Sequence, residues 1–291
     1  MAQILQGLIL ALGLAQLVSW WRVMQRRHLQ FATNLHAMLI GFVTSFFDAL
    51  GIGNFATTTA WFKLRRLVPD EAIPGTLNVG HSMAAVTAAV IYIALVEVDV
   101  ALLFACVLAA ALGAWFGAGI VARLSPQWVR IGMGVALLVG ATLLTAANME
   151  WTVAGGTARS VSGGLFWVAA VGHMLLGALM TLGIGLYAPS LIMLSLMGLD
   201  PQAVFPIMMG ACALLQPTAS LRFLQGDRWS PTISLGLTLG GVPAVLIAAY
   251  AVTSLPLKAL RWLVVVAVLY AAVMMLRSAI QHARPTSAVA T

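Results

Sequence analysis

The fold is decided by an apolar stretch that carries a glycine break at its centre. Residues 36–62 read HAMLIGFVTSFFDALGIGNFATTTAWF, which is too long for one membrane crossing and is interrupted at Gly51-Ile52-Gly53. A second stretch, 166–199, has the same interruption at Gly183-Ile184-Gly185. A membrane helix needs about 20 apolar residues, so each stretch divides into two arms of about 15 residues that reach the bilayer midplane. The sequence therefore predicts two pairs of short helices, each pair joined at its glycines.

The composition sets the class of protein. Of 291 residues, 62% are hydrophobic and only 8% are charged, whereas a soluble domain has about 25% charged residues. A soluble enzyme, a nucleic-acid binder and a disordered chain are therefore excluded, and the predicted fold class is an all-α membrane protein. Outside the two broken stretches, seven segments are apolar enough to cross a bilayer, namely 4–21, 72–96, 100–122, 129–147, 203–221, 233–254 and 259–280.

The first segment, 4–21, is predicted to be a retained membrane helix. Its basic cluster, Arg22, Arg26 and Arg27, follows the apolar residues. A signal peptide instead has its charges before the apolar stretch and a small-residue cleavage site after it.

The two halves of the chain resemble one another at a single offset of 132 residues. The matching features are Gly51-Ile52-Gly53 with Gly183-Ile184-Gly185, Pro69 with Pro201, and Pro74 with Pro206. Each of these last prolines is expected to open the helix after its broken stretch. Self-similarity of this kind indicates an internal repeat. The predicted division is an extra N-terminal helix at 1–30, a first repeat at 31–147, a linker at 148–163, a second repeat at 164–281 and a tail at 282–291.

The loop charges distinguish two topologies. If each broken stretch crosses the membrane once, the chain makes eight or nine simple crossings and the 15 Lys and Arg residues divide 8 to 7. If each stretch returns to the side it entered from, the division becomes 12 to 3, with only Arg159, Lys258 and Arg261 on the poorer side. The positive-inside rule favours the second arrangement. It predicts seven crossings plus two re-entrant hairpins, two inverted repeats, an external N-terminus and a cytoplasmic C-terminus.

Two broken segments at corresponding places in inverted halves indicate the binding site of a transporter. Helix N-termini at the two tips offer free N–H groups and positive dipole ends, which suit an anion. The candidate substrate-binding residues are those of the tips and of the polar patches on the following helices: Gly51, Gly53, Asn54, Thr57, Thr58, Asn78, His81, Ser82, Gly183, Gly185, Tyr187, Pro189, Ser190 and Gln216. The alternative for the hydroxyl side chains is a hydrogen bond back to a helical carbonyl, and for His81 a structural role.

Asp48 is the only acidic residue outside the loops, and it lies three residues before Gly51. A carboxylate inside a membrane is a functional candidate by default, and here the functional interpretation is a proton carrier at the hairpin tip. The alternative is that Asp48 caps the second short helix. Met180 occupies the matching position in the second half, so either role is asymmetric.

The sequence gives no indication of metal, cofactor or catalytic chemistry. Cys106 and Cys212 lie far apart in apolar runs and have neither disulfide nor metal-ligand spacing. We therefore expect a protein that is not an enzyme, that binds no metal and no cofactor, and whose partners are a small anion and the lipid bilayer rather than nucleic acid. Homo-oligomerisation is left open.

The whole pattern resembles the TauE/SafE family of sulfite exporters, the toluene-sulfonate uptake permease group. The residues that carry the likeness are 41–69, 72–82, 112–126 and their second-half partners; it covers roughly 35–280 and leaves 4–21 outside. Family members usually have three or four glycines and a proline at the tip, whereas both tips here read Gly-Ile-Gly and only the second supplies a proline, Pro189. The resemblance implies movement of small sulfur-containing anions, such as sulfite or organosulfonates, across the bacterial inner membrane.

Together these features predict a secondary transporter for such an anion, proton-coupled through Asp48 and working by alternating access around the hairpin tips. Two alternatives remain: a membrane accessory or assembly subunit that transports nothing, and a transporter of an unrelated small anion. An ion channel is disfavoured because no helix carries rings of charge.

Overall fold

The computed structural model describes residues 2–50, 53–95, 97–149, 151, 156–183, 185–251 and 257–283. Within these residues the chain is helical, and its only β feature is an isolated bridge between Ala158 and Leu199. The α-helices are α1 (Ala2–Arg26), α2 (Leu35–Ala49), α3 (Asn54–Arg65), α4 (Ile73–Leu95), α5 (Val100–Val121), α6 (Pro126–Asn148), α7 (Gly164–Met180), α8 (Tyr187–Leu196), α9 (Pro201–Phe223), α10 (Pro231–Ala251) and α11 (Leu257–Ala283).

Each of the two broken stretches forms a pair of short helices. α2 ends at Ala49 and α3 begins at Asn54, and Gly53 between them has φ +71°. α7 and α8 are separated by a turn in which Gly183 has φ +97°. Glycine adopts such left-handed conformations without the steric penalty of a Cβ, which explains why the helices break there. Gly51, Ile52 and Ile184 lie outside the described residues.

Among the described residues, six helices are long and apolar enough to cross a membrane, and they match six of the seven predicted spans. They cover residues 3–26, 70–94, 100–121, 126–143, 202–223 and 231–249. The seventh predicted span, 259–280, falls within α11 and is not among these six. One boundary was wrong: α9 begins at Pro201, so Pro206 lies inside the helix instead of opening it. Pro201 fits the first turn because its missing N–H is not needed there.

Side-chain contacts define one end of the helix bundle, which we name the Asp70 end. Thr33, just before α2, donates to the Thr232 carbonyl at 2.8 Å. Lys63, near the end of α3, contacts Asp70 at 2.7 Å, and the Ser230 N–H donates to Thr76 at 2.9 Å. The start of α2 therefore lies close to the first turn of α10, and the end of α3 lies close to Asp70 before α4.

The opposite end, which we name the Asp200 end, is where the α7–α8 pair begins and ends. The Asp200 N–H, just after α8, donates to the carbonyl of Ala158, before α7, at 2.7 Å. The Asp99 N–H, between α4 and α5, donates to the Arg159 carbonyl at 3.1 Å. Helices α4 and α9, of 23 residues each, run in opposite directions between the two ends, a distance of about 35 Å.

Close helix packing depends on glycines. The main packed pairs are α2 with α10, α5 with α7, α4 with α9, α5 with α9, α4 with α10, and α6 with α11. A Cβ at Gly113 of α5 would overlap the Met174 carbonyl of α7, and one at Gly240 of α10 would overlap the Met38 carbonyl of α2. Small residues of this kind let membrane helices approach closely. α1 packs on α4 and α9.

Candidate functional site

The tips of the two helix pairs meet at Asp48. This side chain is 3% exposed, and its Oδ1 accepts a hydrogen bond of 2.8 Å from the Asn54 N–H, the first residue of α3. Its Oδ2 lies 3.4 Å from the Tyr187 hydroxyl, the first residue of α8. No ion pair to Asp48 is found among the described residues. One carboxyl oxygen thus caps its own pair of helices, and the other faces the opposite pair.

Two tyrosines surround this carboxyl group. The Tyr187 hydroxyl also lies 2.7 Å from the Met209 sulfur on α9. The Tyr92 hydroxyl, on α4, donates to the carbonyl of Ala49, the residue after Asp48, at 2.6 Å. Polar atoms from α3, α4 and α8 therefore surround Asp48, and the Met209 thioether of α9 contacts the Tyr187 hydroxyl.

Two buried histidines hold the arms of the helix pairs. His81 on α4 has Nδ1 3.3 Å from the Ser45 hydroxyl of α2 and Nε2 2.9 Å from the Thr58 hydroxyl of α3. His173 on α7 has Nε2 2.9 Å from the Ser190 hydroxyl of α8. Both ring nitrogens of His81 are thus engaged by the protein in this conformation, as the structural interpretation of His81 expects. A substrate-binding role for His81 stays a prediction.

Several other predicted ligands bond back to helical carbonyls. Thr57 donates to the carbonyls of Gly53 and Asn54 at 3.2 and 2.9 Å. Asn78 donates from Nδ2 to the Pro74 carbonyl at 2.9 Å, and Ser82 donates to the Asn78 carbonyl. These bonds follow the alternative stated for such side chains. Ser82 also lies 3.1 Å from Ser220 on α9, where α4 and α9 cross.

Four buried polar atoms in this region have no hydrogen-bond partner among the described residues. They are Asn54 Nδ2, Thr59 Oγ1, Asn78 Oδ1 and Gln216 Oε1. Buried polar groups in native proteins are normally paired, so unpaired ones indicate a place where a ligand or water binds. Asn54 contributes the one amide donor of this set at a tip. Four other predicted residues lie at the two tips: Gly53 just before α3, Gly183 and Gly185 between α7 and α8, and Pro189 in the first turn of α8. Gly51 lies outside the described residues.

A cavity of about 310 Å³ opens beside the first tip. It is lined by Ala49 and Leu50 of the tip, Tyr92 in the last turns of α4, and Gln202 and Phe205 in the first turns of α9. Because α4 ends and α9 begins at the Asp200 end, the cavity lies on that side of the first tip and is lined by Ala49, the residue after Asp48. The rings of Tyr92 and Phe205 stack at 6.2 Å across it.

The described residues contain no group of three or more His, Cys, Asp and Glu side chains that could hold a metal ion. Four residues of the site were not predicted as site residues: Ser45, Tyr92, His173 and Met209. The repeat could have indicated His173. Ser190 occupies the position of Thr58, so a second buried histidine that bonds Ser190, as His81 bonds Thr58, could have been looked for. The other three positions depend on contacts between helices that are distant in sequence.

The comparison with family models finds the family described as Sulfite exporter TauE/SafE over residues 1–144. No curated protein and no solved structure matches the chain. The match begins at residue 1, so the expectation that 4–21 lies outside the likeness was wrong. The matched region holds α1 to α5 and α6 as far as residue 144, including Asp48, Asn54 and His81. Together with the six apolar helices, the match indicates a multi-pass membrane protein that is similar to the Sulfite exporter TauE/SafE family over residues 1–144.

Proposed function

We propose that this protein is a secondary transporter that moves a small sulfur-containing anion, such as sulfite, a sulfonate or a similar organic acid, across the bacterial inner membrane. The observation that carries the proposal is the meeting of two glycine-broken tips at Asp48 and Tyr187, inside a bundle of membrane helices. Irregular backbone at membrane depth is tolerated only where it is buried in protein or lines a cavity. Such paired breaks are where transporters bind their substrates.

The contacts at the two ends of the bundle support re-entrant hairpins. The α2–α3 pair begins beside Thr232 and ends beside Asp70, both at the Asp70 end. The α7–α8 pair begins and ends at the Asp200 end, beside Ala158. Neither pair therefore needs to cross the bilayer, and the two pairs open toward opposite sides.

Helix packing supports inverted repeats. In the repeat, α2 corresponds to α7, α4 to α9, α5 to α10 and α6 to α11. If each helix is exchanged for its counterpart, the α2–α10 contact becomes α7–α5 and the α5–α9 contact becomes α10–α4. All four contacts are observed. The α4–α9 and α6–α11 contacts map onto themselves under the same exchange. An arrangement of this kind can open first to one side and then to the other, as alternating access requires.

The anion is held, in this proposal, by backbone N–H groups of the tips together with the Asn54 amide. Neither α3 nor α8 has a side-chain cap at its N-cap residue. The Asn54 N–H donates to Asp48, Pro189 has no N–H, and the Ser190 N–H donates to the Leu186 carbonyl. The proposed backbone donors are therefore the N–H groups of Phe55 and Ala56 on α3 and of Tyr187 and Ala188 on α8. The unpartnered Asn54 Nδ2 adds a neutral donor. Neutral donors suit an anion that must also be released.

Asp48 is proposed as the proton carrier. A charged carboxylate close to an anion site repels the substrate, so loading is favoured when Asp48 is protonated. The cavity at Tyr92 and Gln202 gives it a route to the Asp200 end, which the charge distribution assigns to the outside. The C-terminus is then cytoplasmic.

The competing interpretation is a membrane accessory subunit whose polar interior only packs helices. The closed hydrogen bonds of His81, Ser82 and Thr57 favour it. Flux of labelled sulfite into proteoliposomes, with and without a proton gradient, separates the two. We expect gradient-driven flux in the native protein and its loss in Asp48→Asn.

The matched control is Asp99→Asn, because Asp99 also caps a helix, accepting from the Leu102 N–H at 2.8 Å. It lies at the Asp200 end, away from the tips. We expect its flux to match that of the native protein. Unchanged coupled flux in Asp48→Asn would remove Asp48 from the mechanism, and absence of flux from the native protein for sulfite, sulfonates and carboxylates would favour the accessory subunit.

A further inference from the structure

The Tyr187 hydroxyl stands between two acceptors that belong to different halves of the protein. It is 3.4 Å from Asp48 Oδ2, on α2, and 2.7 Å from Met209 Sδ, on α9. A phenol has one hydrogen to donate, so it can serve only one of the two at a time. An O–H···O bond is normally 2.5–3.0 Å long. The 3.4 Å contact with Asp48 Oδ2 is longer than this, so in this conformation the hydroxyl is closer to the sulfur than to the carboxyl oxygen.

We propose that Tyr187 relays the protonation state of Asp48 to α9 by turning this single hydrogen between the two acceptors. The inference rests on the proposed function insofar as it takes Asp48 to be the residue that gains and loses a proton. When Asp48 is protonated, its own O–H donates to the Tyr187 oxygen and the phenolic hydrogen points at Met209. When Asp48 is ionised, the phenolic hydrogen turns to the carboxylate.

The proton balance is simple. The proton on Asp48 comes from water in the cavity beside Ala49 and Leu50 and returns there. The phenol keeps its hydrogen throughout, and no covalent bond of Tyr187 changes. A hydrogen bond to a carboxylate shortens to about 2.6 Å, so ionisation draws the Tyr187 oxygen about 0.8 Å closer to Asp48 and away from α9.

The other side chains near Asp48 already have hydrogen-bond partners, so Tyr187 is the group that we assign to the relay. The titratable neighbours of Asp48 in the described residues include Tyr92 from α4, Tyr187 from α8 and Cys212 from α9. The Cys212 thiol lies 4.0 Å from the Met180 sulfur. Tyr92 is occupied by a backbone carbonyl. From α4, His81 is bonded to Ser45 and Thr58.

Within the part of the chain that the structure describes, no ion pair joins Asp48 to a basic side chain. The charges of α3, Lys63 and Arg65, are at its far end, toward the Asp70 end. α10, which packs along α2, carries Tyr250 as its only titratable residue. In the repeat, Met180 and Phe55 take the places of Asp48 and Tyr187. The matching positions in the other half therefore carry neither a carboxyl group nor a hydroxyl.

The experiment is the thermal stability of the purified protein in detergent as a function of pH, which requires no transport. We expect a pH-dependent step in the native protein that Asp48→Asn abolishes. Tyr187→Phe removes a donor to the ionised carboxylate, so the step moves to higher pH. Met209→Leu removes the competing acceptor, so the step moves to lower pH. Each shift is about half to one pH unit, the equivalent of one modest hydrogen bond.

Tyr92→Phe is the matched control. It deletes a phenolic hydroxyl from the same cluster, but one that bonds the Ala49 carbonyl instead of the carboxyl group, so we expect the step to move less than in Tyr187→Phe. Shifts of the same sign in Tyr187→Phe and Met209→Leu, or no shift in either, would overturn the relay. If Tyr187→Phe does not fold, the absence of a downward shift in Met209→Leu overturns it alone. Failure of the transport proposal shows separately, as absence of sulfite flux by the native protein.

Discussion

Thr58 and Ser190 hold equivalent positions in the two halves, and each places its hydroxyl 2.9 Å from the Nε2 of a buried histidine. The histidines themselves are not equivalent. His81 comes from α4, so its bond ties α3 to a long membrane helix, whereas His173 comes from α7 and its bond joins α7 to α8 of the same pair. This histidine bond therefore links the first pair to the rest of the bundle, while the bond in the second pair only joins its own two helices.

This difference predicts how the two hydroxyls contribute to stability. Thr58→Val and Ser190→Ala each leave a fully buried ring nitrogen without a partner, which costs about 1–3 kcal/mol. We expect both variants to lower the free energy of unfolding in detergent by that amount. Thr218→Ala is the control, because Thr218 only bonds back to the Leu214 carbonyl of its own helix. An equal loss in all three variants would show that the hydroxyl–histidine bonds contribute no more to stability than a hydroxyl that bonds back to its own helix.

The sequence predicted the helix breaks and the capping alternative for Asp48 because both depend on local chemistry. Gly53 and Gly183 adopt backbone angles that favour glycine, and Asp48 caps a helix that begins six residues later. The Asp48–Tyr187 contact could not be predicted, because the two residues are 139 positions apart. Their proximity depends on how the two halves dock. Ser45, Tyr92 and Met209 escaped prediction for the same reason.

The capping role of Asp48 can be separated from its proton role. Asp48→Asn keeps an oxygen that accepts from the Asn54 N–H, whereas Asp48→Ala leaves that buried N–H unpaired. We expect Asp48→Ala to lose about 1–2 kcal/mol more stability than Asp48→Asn. The same two substitutions at Asp99 should differ less, because its cap lies at the partly exposed Asp200 end. Equal stability of the two Asp48 variants would mean that the hydrogen bond from the Asn54 N–H to Asp48 does not contribute to the free energy of unfolding.

Close approach of α5 and α7 depends on Gly113. A methyl group there meets the Met174 carbonyl oxygen and the Ala178 backbone nitrogen, and neither can move without shifting a helix. We expect Gly113→Ala to cost at least about 1–3 kcal/mol, the usual penalty of overpacking. Gly119→Ala, on the same helix, has open space and should be neutral or slightly stabilising. Denaturant unfolding in detergent compares the two, and similar stabilities would argue against the packed arrangement of α5 and α7.

At the Asp70 end, one carboxylate joins three parts of the fold. Asp70 Oδ1 contacts Lys63 at 2.7 Å and Oδ2 contacts Arg130 at 3.0 Å, with all three side chains 12–14% exposed. We expect Asp70→Asn to cost on the order of 2 kcal/mol, between the values for surface and buried ion pairs. Glu97→Gln breaks the pair with Arg159, in which Glu97 is 91% exposed, and should cost less than about 1 kcal/mol. Comparable losses of stability in the two variants would contradict the expectation that the partly buried Asp70 ion pairs contribute more than the exposed Glu97–Arg159 pair.

Labelling with a membrane-impermeant maleimide tests the re-entrant topology directly. Single cysteines are placed at Phe31, before α2, and at Leu64, near the end of α3, in a variant that lacks Cys106 and Cys212. These two sites are 53% and 61% exposed, so burial does not hide them. If the α2–α3 pair returns to the side from which it enters, both sites react from the cytoplasmic side only, together with Asp227→Cys. Glu97→Cys, at the Asp200 end, then reacts from outside. A pair of helices that simply crosses the bilayer would instead put Phe31→Cys and Leu64→Cys on opposite sides, because the path between them would traverse the full hydrocarbon core of about 30 Å.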